Sequence, residues 1–310
     1  MNNLFSKVAD TTRKARINYL NKIGVNSTTD YDVLLDINNI INNYVLDSAN
    51  VNTQATRIFH IIEFLKEVEQ VPLLNEYSNL MKQIKQSSII KQNDTSTTDK
   101  SDRYIPLKEL QETLINSNPY TNINSILLQK DFSRNMIKVY QDYLLMCLYV
   151  LNPALRNDFH NLKIITKASD LTKEDNFLVI NARSVYIYLN EYKNSKSMGA
   201  VRIDLSNYTI NIIRNLFKMY KKLKIVPTTL FNHISKLVVE PMTEDAMKKR
   251  VKFVSNQYFN IPLSINDYRH IWEIAIQNSD EYKNLNLNDR ETLHKQLLHS
   301  LNTALKYNRV

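Results

Sequence analysis

Four side chains in the second half of the sequence have types that could work together on one phosphate group. Tyr307 lies near the C-terminal end, His299 precedes it by eight residues, and Arg156 and Arg269 lie further upstream. Guanidinium groups bind phosphate oxygens in a bidentate manner, and a tyrosine oxygen can attack phosphorus. Taken singly, such an arginine is most often a surface residue, and a tyrosine near a chain end is most often a packing residue. The set is therefore a hypothesis that depends on the elements carrying it.

The composition favours a folded protein with a polyanionic partner. Lysine and arginine number 40 against 31 aspartate and glutamate residues, which gives a net charge of +9 in a chain of 310 residues. Such an excess favours nucleic acid or an anionic surface as the partner. Hydrophobic residues make up 43% of the chain, yet no window approaches the ~20 apolar residues of a membrane span. We therefore expect a soluble intracellular protein with no membrane partner.

Glycine and cysteine usage excludes several classes of site. Gly24 and Gly199 are the two glycines of the sequence, so neither a dinucleotide-binding fingerprint nor a P-loop can be written from it. Cys147 is the single cysteine and lies in an apolar run, which predicts a buried thiol. One cysteine excludes a disulfide framework and a cysteine zinc site, and it favours a reducing compartment, either cytosol or nucleus.

The first 91 residues predict a compact bundle of four helices. Apolar residues recur at helical spacing over 33–45 and 58–65, and further helical stretches lie at 7–23 and 73–86. The basic side chains of this region could line a surface for DNA, or they could form an ordinary solvated face. These residues are Lys7, Arg13, Lys14, Arg16, Arg57 and Lys82.

Residues 92–103 separate this region from the rest of the chain. They contain no apolar side chain and are rich in Ser, Thr, Asn and Asp. This composition predicts a mobile linker between a domain at 1–91 and a second domain at 104–310. Two basic domains joined in this way could close around a duplex as a clamp, although an ordinary surface loop is an equally good interpretation.

The second domain is predicted to be mainly α-helical with a small antiparallel β-sheet, an α+β fold. Segments 176–181, 185–190 and 200–205 alternate in hydrophobicity or are rich in β-formers. Residues 192–199, between the last two segments, suit a hairpin turn. Helices are predicted at 107–115, 132–151, 207–224, 227–236, 244–253, 265–277 and 289–307.

Four stretches of the second domain together resemble a known family. Arg156 lies in PALRNDFHNLKI, Lys193 in YKNSKSMG, Arg269 in NDYRHIW, and His299 and Tyr307 lie in LLHSLNTALKY. An arginine at a helix start, a lysine in a hairpin, a second arginine, a histidine and a late tyrosine, in this order, resemble the tyrosine recombinases, or phage-type integrases. The likeness extends to virophage-like members from viruses and mobile elements with A+T-rich genomes. It implies a helical core-binding domain followed by a catalytic domain.

The resemblance implies roles for the basic side chains. Arg156 and Arg269 would bind the non-bridging oxygens of the scissile phosphate and stabilise the charge that develops in the transition state. Lys193, or Lys196 as the second choice, would protonate the departing 5′ oxygen. Neither a metal ion nor a nucleotide cofactor is needed for this chemistry.

The resemblance also implies roles for the remaining candidates. His299 would hydrogen-bond the phosphate or assist proton transfer, and Tyr307 would form a 3′-phosphotyrosyl link. His270 adjoins the second arginine in an order that the family also shows, whereas Asn266 occupies a position where the family usually has histidine. In one helix, His299 and Tyr307 would lie ~80° and ~12 Å apart. We therefore expect either a break at 300–303 or delivery of Tyr307 to a neighbouring subunit.

The function implied is that of a site-specific recombinase or integrase acting on double-stranded DNA. The protein would be a monomer or dimer in solution and a homotetramer at synapsis, located in the nucleus, the cytoplasm or a viral factory. One alternative is a type IB topoisomerase, which shares the catalytic set but relaxes DNA as a monomer. Another is a catalytically decayed DNA-binding protein of the same fold.

Overall fold

The computed structural model describes residues 4–6, 8–48, 50–94, 105–235, 239–295 and 297–298, with the backbone alone for 87–94. The chain divides into two compact units, 1–98 and 99–310. In the part of the chain that is described, no helix is long and apolar enough to cross a membrane. The fold class predicted from the sequence is confirmed, because the described elements are mostly helices with a small sheet in the second unit.

All the described regular elements of the first unit are helices. Its core holds apolar side chains from each of its helices, among them Leu20, Leu34, Ile61, Leu65 and Tyr77. The two longest helices, α3 and α4, pack against each other. The elements are α1 (Asp10–Lys22), a 3-10 helix (Asp30–Leu35), α2 (Ile37–Ile40) with a π-helical turn after it (Ile41–Val45), α3 (Val51–Glu67) and α4 (Val71–Asp94).

Four of the basic residues considered for DNA binding form ion pairs inside the first unit, and two of these, Arg13 and Lys14, both pair with Asp10. Arg16 is buried, pairs with Glu63 at 3.2 Å and lies over the rings of Phe5 and Phe59, so it fits neither of the two interpretations, a DNA surface or a solvated face. The Arg57 guanidinium donates to the carbonyls of Tyr44 and Val45 and pairs with Asp47. Lys82 is exposed on α4.

The second unit is built around α7 (Arg134–Val150), whose last eight residues are all buried. Burial raises the pKa of the Cys147 thiol, which is a core residue as its apolar surroundings predict. The helices of this unit are α5 (Leu107–Asn116), α6 (Ile123–Leu128), α7, α8 (Ser195–Met198), α9 (Asn207–Lys222), α10 (Glu244–Phe259), α11 (Ile265–Asn278), α12 (Asp280–Asn284) and α13 (Leu287–Lys295).

The main sheet has four strands in the order β1 (Lys163–Ile165), β2 (Phe177–Ile180), β3 (Val185–Leu189) and β4 (Val201–Asp204). The last three are antiparallel neighbours, as the sequence predicts. Strand β1 pairs in parallel with β2 and was not predicted. Gly199, with φ of +73°, returns the chain to β4 after the one-turn helix α8.

The helix predicted at 227–236 is wrong. A two-stranded antiparallel sheet, β5 (Asn232–Ile234) with β6 (Val239–Pro241), occupies this part of the sequence. Thr229 and Asn232 bond each other and local backbone carbonyls, and the Gln141 side chain hydrogen-bonds both the N–H and the C=O of Asn232. These contacts use the backbone groups that a helix would have needed.

Asn152 ties the exit of α7 to the start of α9. Its amide nitrogen donates to the Cys147 carbonyl at 2.9 Å and to the Thr209 hydroxyl at 2.8 Å, and its oxygen accepts from the Ser206 N–H at 2.7 Å. The residue is buried, so the loss of its amide leaves these partners without a replacement from water.

Asn152→Ala is expected to lower the free energy of unfolding of the second unit by about 2–3 kcal/mol, since each buried group left unsatisfied costs about 1–3 kcal/mol. Urea unfolding followed by circular dichroism measures the change. Asn211→Ala, at an exposed position of α9, is the control and should stay within about 0.5 kcal/mol of wild type. Equal stabilities of the two variants would contradict this role for Asn152.

Candidate arginine site

Arg269 is positioned by the first turn of α11. Ser264 caps this helix and exchanges hydrogen bonds with Asp267, which fixes the direction in which the helix begins. The Arg269 side chain is 1% exposed. Its guanidinium donates to the carbonyl of Ala154 through Nη1 and to the carbonyl of Leu297 through Nη2, each at 2.9 Å. Two backbone segments far apart in the sequence therefore hold this arginine.

Arg156 lies in a loop rather than at the helix start expected from the sequence. Residues 151–162 form bends and turns, since Pro153 follows the end of α7 and a turn joins Asn157 to His160. The Tyr149 hydroxyl, on α7, donates to the Arg156 carbonyl at 2.9 Å and fixes the loop. The Arg156 guanidinium reaches the carbonyl of Leu298 at 3.4 Å.

Both arginines line one cavity of about 610 Å³ in the second unit. The loop after α7, the start of α10 and the start of α11 supply most of its walls. Its charged members are two arginines, two lysines and three carboxylates, with one histidine. They are Arg156, Arg269, Lys248, Lys252, Asp158, Glu191, Glu244 and His160. Both arginine side chains therefore border the same space.

Asp158 brings a negative charge close to the arginine pair. Burial raises the pKa of its carboxyl, while the charges of Arg156 and Arg269 oppose that rise. A half-buried carboxylate that interacts with two guanidinium groups offsets part of their charge when no other anion is present. Asp158 stands two residues after Arg156, so a search of the sequence for acidic neighbours of that arginine could have found it.

Helix α10 contributes exposed lysines to the cavity wall. Lys248 pairs with Glu244 at 2.6 Å, one turn away on the same face, and this hydrogen bond lowers the pKa of the Glu244 carboxyl. Lys252 follows one further turn along α10. Among the described residues, no group of three or more His, Cys, Asp or Glu side chains is arranged to hold a metal ion.

The connection between β3 and β4 approaches the arginine pair. Asn194 donates to the Leu298 carbonyl at 2.8 Å, and this carbonyl also accepts from Arg156. Lys193 is exposed and stands between Asn194 and Tyr192, whose hydroxyl closes the loop onto the carbonyl of Gly199. Lys196 is exposed on α8. Neither lysine lines the cavity wall itself.

The other candidates fall on α11 or on the last part of the chain. Asn266 is exposed and lines the cavity, and His270 is half-buried next to Arg269. His299, Tyr307 and the expected helix break at 300–303 lie outside the described residues. Leu298, which Arg156 and Asn194 contact through its carbonyl, directly precedes His299 in the sequence.

Asp158→Asn is expected to stabilise the second unit at neutral pH. Because the folded-state pKa of Asp158 is raised, the folded protein favours the protonated carboxyl. The stability that this protonation contributes is fully present below the unfolded pKa of ~3.9 and is lost as pH rises through the folded value. The difference between variant and wild type should therefore be largest near pH 7 and shrink toward pH 4. Urea unfolding across this range measures it.

Asp131→Asn, at an exposed position before α7, is the matched control and should show no such trend with pH. Destabilisation by Asp158→Asn at pH 7 would mean that attraction to the two arginines outweighs the cost of burying the carboxylate.

The fold of this chain has likenesses among solved structures. No protein-family model and no curated protein matches the chain. The structure is similar to the crystal structure of XerA recombinase, with a TM-score of 0.42 and 11% sequence identity, over 98% of this chain and 88% of that one. This likeness is too distant to assign a function, so the functional assignment depends on the site itself.

Proposed function

We propose that this protein is a DNA strand transferase of the tyrosine recombinase type, which cuts and rejoins duplex DNA through a covalent tyrosyl intermediate. One observation supports this most directly: Arg156 and Arg269 line the same cavity, Arg269 donates to the carbonyl of Leu297, and Arg156 donates to the carbonyl of Leu298. The segment that leads into His299 and Tyr307 is therefore held at the two groups best suited to bind a phosphate.

The arginine pair would act by electrostatic preorganisation. Arg269 is fixed by two backbone carbonyls, so the position of its guanidinium is set before a phosphate arrives. Each guanidinium keeps its charge at any physiological pH and has a planar fork that matches phosphate oxygens. In a site with little water, such donors stabilise the charge that builds up on phosphorus-bound oxygens in the transition state.

The reaction itself is an exchange of one phosphoester for another. The Tyr307 oxygen would attack the phosphorus while its hydroxyl proton passes to His299 or to solvent, the bond to the 5′ oxygen would break, and the DNA 3′ end would remain linked to tyrosine. Lys193 is our first choice to protonate the leaving 5′ oxygen, because its neighbour Asn194 bonds Leu298. Lys196 is the second choice. Attack by a 5′ hydroxyl on the phosphotyrosine would reverse the steps and reseal the strand.

A second candidate function, DNA binding without cleavage, is favoured by Asn266. This residue lines the cavity near the arginines but can only hydrogen-bond a phosphate and cannot transfer a proton to it. Recombination and type IB topoisomerase activity both require the tyrosyl intermediate, so they share the first test below. Supercoil relaxation by a monomer, measured against the joining of two sites by a tetramer, separates them afterwards.

Tyr307→Phe should abolish formation of a covalent protein–DNA adduct. The test uses nicked duplexes from a randomised pool. Cleavage near the nick releases a short fragment with a 5′ hydroxyl. Once this fragment has diffused away, the strand cannot be resealed and the covalent intermediate accumulates. Denaturing gels report the adduct, and peptide mapping reports the linked residue. Tyr120→Phe, in the loop before α6, is the control and should form adduct at the wild-type rate.

Two outcomes of this experiment would count against the proposal. An adduct that persists in Tyr307→Phe would place the nucleophile elsewhere. No adduct from wild type with any duplex, together with salt-sensitive DNA binding, would support the non-enzymatic alternative.

Arg156→Lys should reduce the rate of adduct formation by about 10²–10³, since a lysine keeps the charge but loses the bidentate fork. The affinity for DNA should change little, because many other contacts contribute to it. Single-turnover kinetics at saturating DNA separates the two quantities. Arg214→Lys is the matched control, since Arg214 also donates to backbone carbonyls but does not line the cavity. Equal rates for the two variants would exclude Arg156 from the site.

A further inference from the structure

Behind the arginine pair lies a buried polar network on the last three described helices. Glu273 on α11 and His294 on α13 are both 0% exposed, and Glu273 Oε1 lies 2.8 Å from His294 Nδ1. The other ring nitrogen, Nε2, is 2.9 Å from the Tyr282 hydroxyl on α12. Gln277 donates to the same Glu273 oxygen at 2.8 Å. The network therefore joins α11, α12 and α13.

Such a network specifies one arrangement of its helices. Buried carboxylate and imidazole groups lose their hydration, and this loss is offset only when the partners sit at hydrogen-bonding distance. Displacement of α13 from α11 would leave Glu273 and His294 buried without each other, which is strongly unfavourable. The Arg290 guanidinium covers the outer face of the Tyr282 ring at 4.8 Å and packs α13 against α12 at a second point.

The polar network and the hydrogen bond from Arg269 to Leu297 are connected through two short stretches of the chain. Glu273 lies one turn after Arg269 on the same face of α11. His294 lies three residues before Leu297, whose carbonyl accepts from Arg269. The turn that carries Leu297 and Leu298 is itself closed by hydrogen bonds to the carbonyls of His294 and Lys295. A displacement of His294 would therefore also displace Leu297 and Leu298, because hydrogen bonds tie these residues to the end of α13.

A direct chemical role for the network does not fit its surroundings. The Tyr282–His294–Glu273 order resembles a nucleophile with a base and an orienting carboxylate. Burial, however, raises the pKa of the Tyr282 hydroxyl, which disfavours its anion. None of the three side chains lines the cavity that holds the arginines. They hold structure in place and do not contact a substrate there.

We infer that Glu273, His294 and Tyr282 form a latch that holds the Leu297–Leu298 segment on the arginine pair, and that these residues are positioning residues for the reaction proposed above. The inference rests on that proposed function for its effect on catalysis. The latch would set the fraction of time for which the segment leading to His299 and Tyr307 stays bonded to the arginine pair. None of its three side chains would contact DNA.

His294→Gln and Glu273→Gln should each lower the rate of adduct formation at saturating DNA about 10- to 100-fold, because a displacement near 1 Å of a reacting group costs a factor of this size. The dissociation constant for DNA should change less than about threefold, since the arginines and lysines remain. The double variant should be no slower than the slower single variant, because both substitutions break the same contact. Tyr282→Phe, which removes one hydroxyl, should cause a smaller loss.

Asp142→Asn is the matched control. It breaks the ion pair between Asp142 on α7 and Arg250 on α10. Both residues belong to the second unit and line a different cavity from the one that holds the two arginines. This variant should keep the wild-type rate of adduct formation. Circular dichroism and thermal unfolding confirm that each variant is folded before rates are compared.

Amide hydrogen exchange tests the latch independently of activity. In His294→Gln, the amides of 287–298 should exchange at least tenfold faster than in wild type, while those of α7 and α9 stay unchanged. Unchanged exchange overturns the latch, and so does faster exchange with a wild-type rate of adduct formation. A third outcome is faster exchange in His294→Gln together with no adduct from wild type on any duplex. This outcome overturns the proposed function but keeps the latch as the set of contacts that holds this segment.

Discussion

The burial of one permanent charge, the Arg269 guanidinium, organises the second unit. A guanidinium cannot lose its proton at physiological pH, so a side chain that is 1% exposed requires acceptors inside the protein. Two of these acceptors are the carbonyls of Ala154 and Leu297, which lie 115 and 28 residues away in the sequence. The exit of α7, the start of α11 and the segment after α13 must therefore meet at this side chain, whatever else the fold does.

The remainder of the unit supplies the rigidity that this meeting point needs. Helix α7 is buried on all sides near its end, and its Tyr149 stacks on Tyr268 with ring centroids 5.5 Å apart. Tyr268 precedes Arg269, and Tyr149 bonds the Arg156 carbonyl, so one aromatic pair supports both arginines. Trp272, a turn after Tyr268, donates to the Tyr149 carbonyl at 2.8 Å. The arginine positions thus follow from packing and hydrogen bonds between the same two helices.

The sequence predicts residue types and element order better than it predicts how these residues are held. Arg156 and Arg269 could be chosen as candidates from their neighbouring residues, and the three antiparallel strands from their alternating hydrophobicity. Both features depend on residue types, which the sequence gives directly. The acceptors at Ala154, Leu297 and Leu298 are backbone carbonyls, which every residue has, so no residue type marks them. The helix expected at 227–236 failed for a related reason: Gln141, distant in sequence, bonds the backbone of Asn232 and favours the strand.

The carboxylates of the cavity would make the arginine pair selective if it binds phosphate as proposed. Two guanidinium groups without carboxylates nearby would attract any small anion. Here Asp158 stands beside both, and Glu244 is bonded to Lys248, so much of the positive charge is already balanced at short range. A ligand gains the full interaction only if it brings enough negative charge and enough additional contacts to compete with these carboxylates. Under the proposed function, a phosphate within a polymer, flanked by others that reach the lysines of α10, would meet this condition better than a free ion, because each neighbouring contact adds to the same binding event.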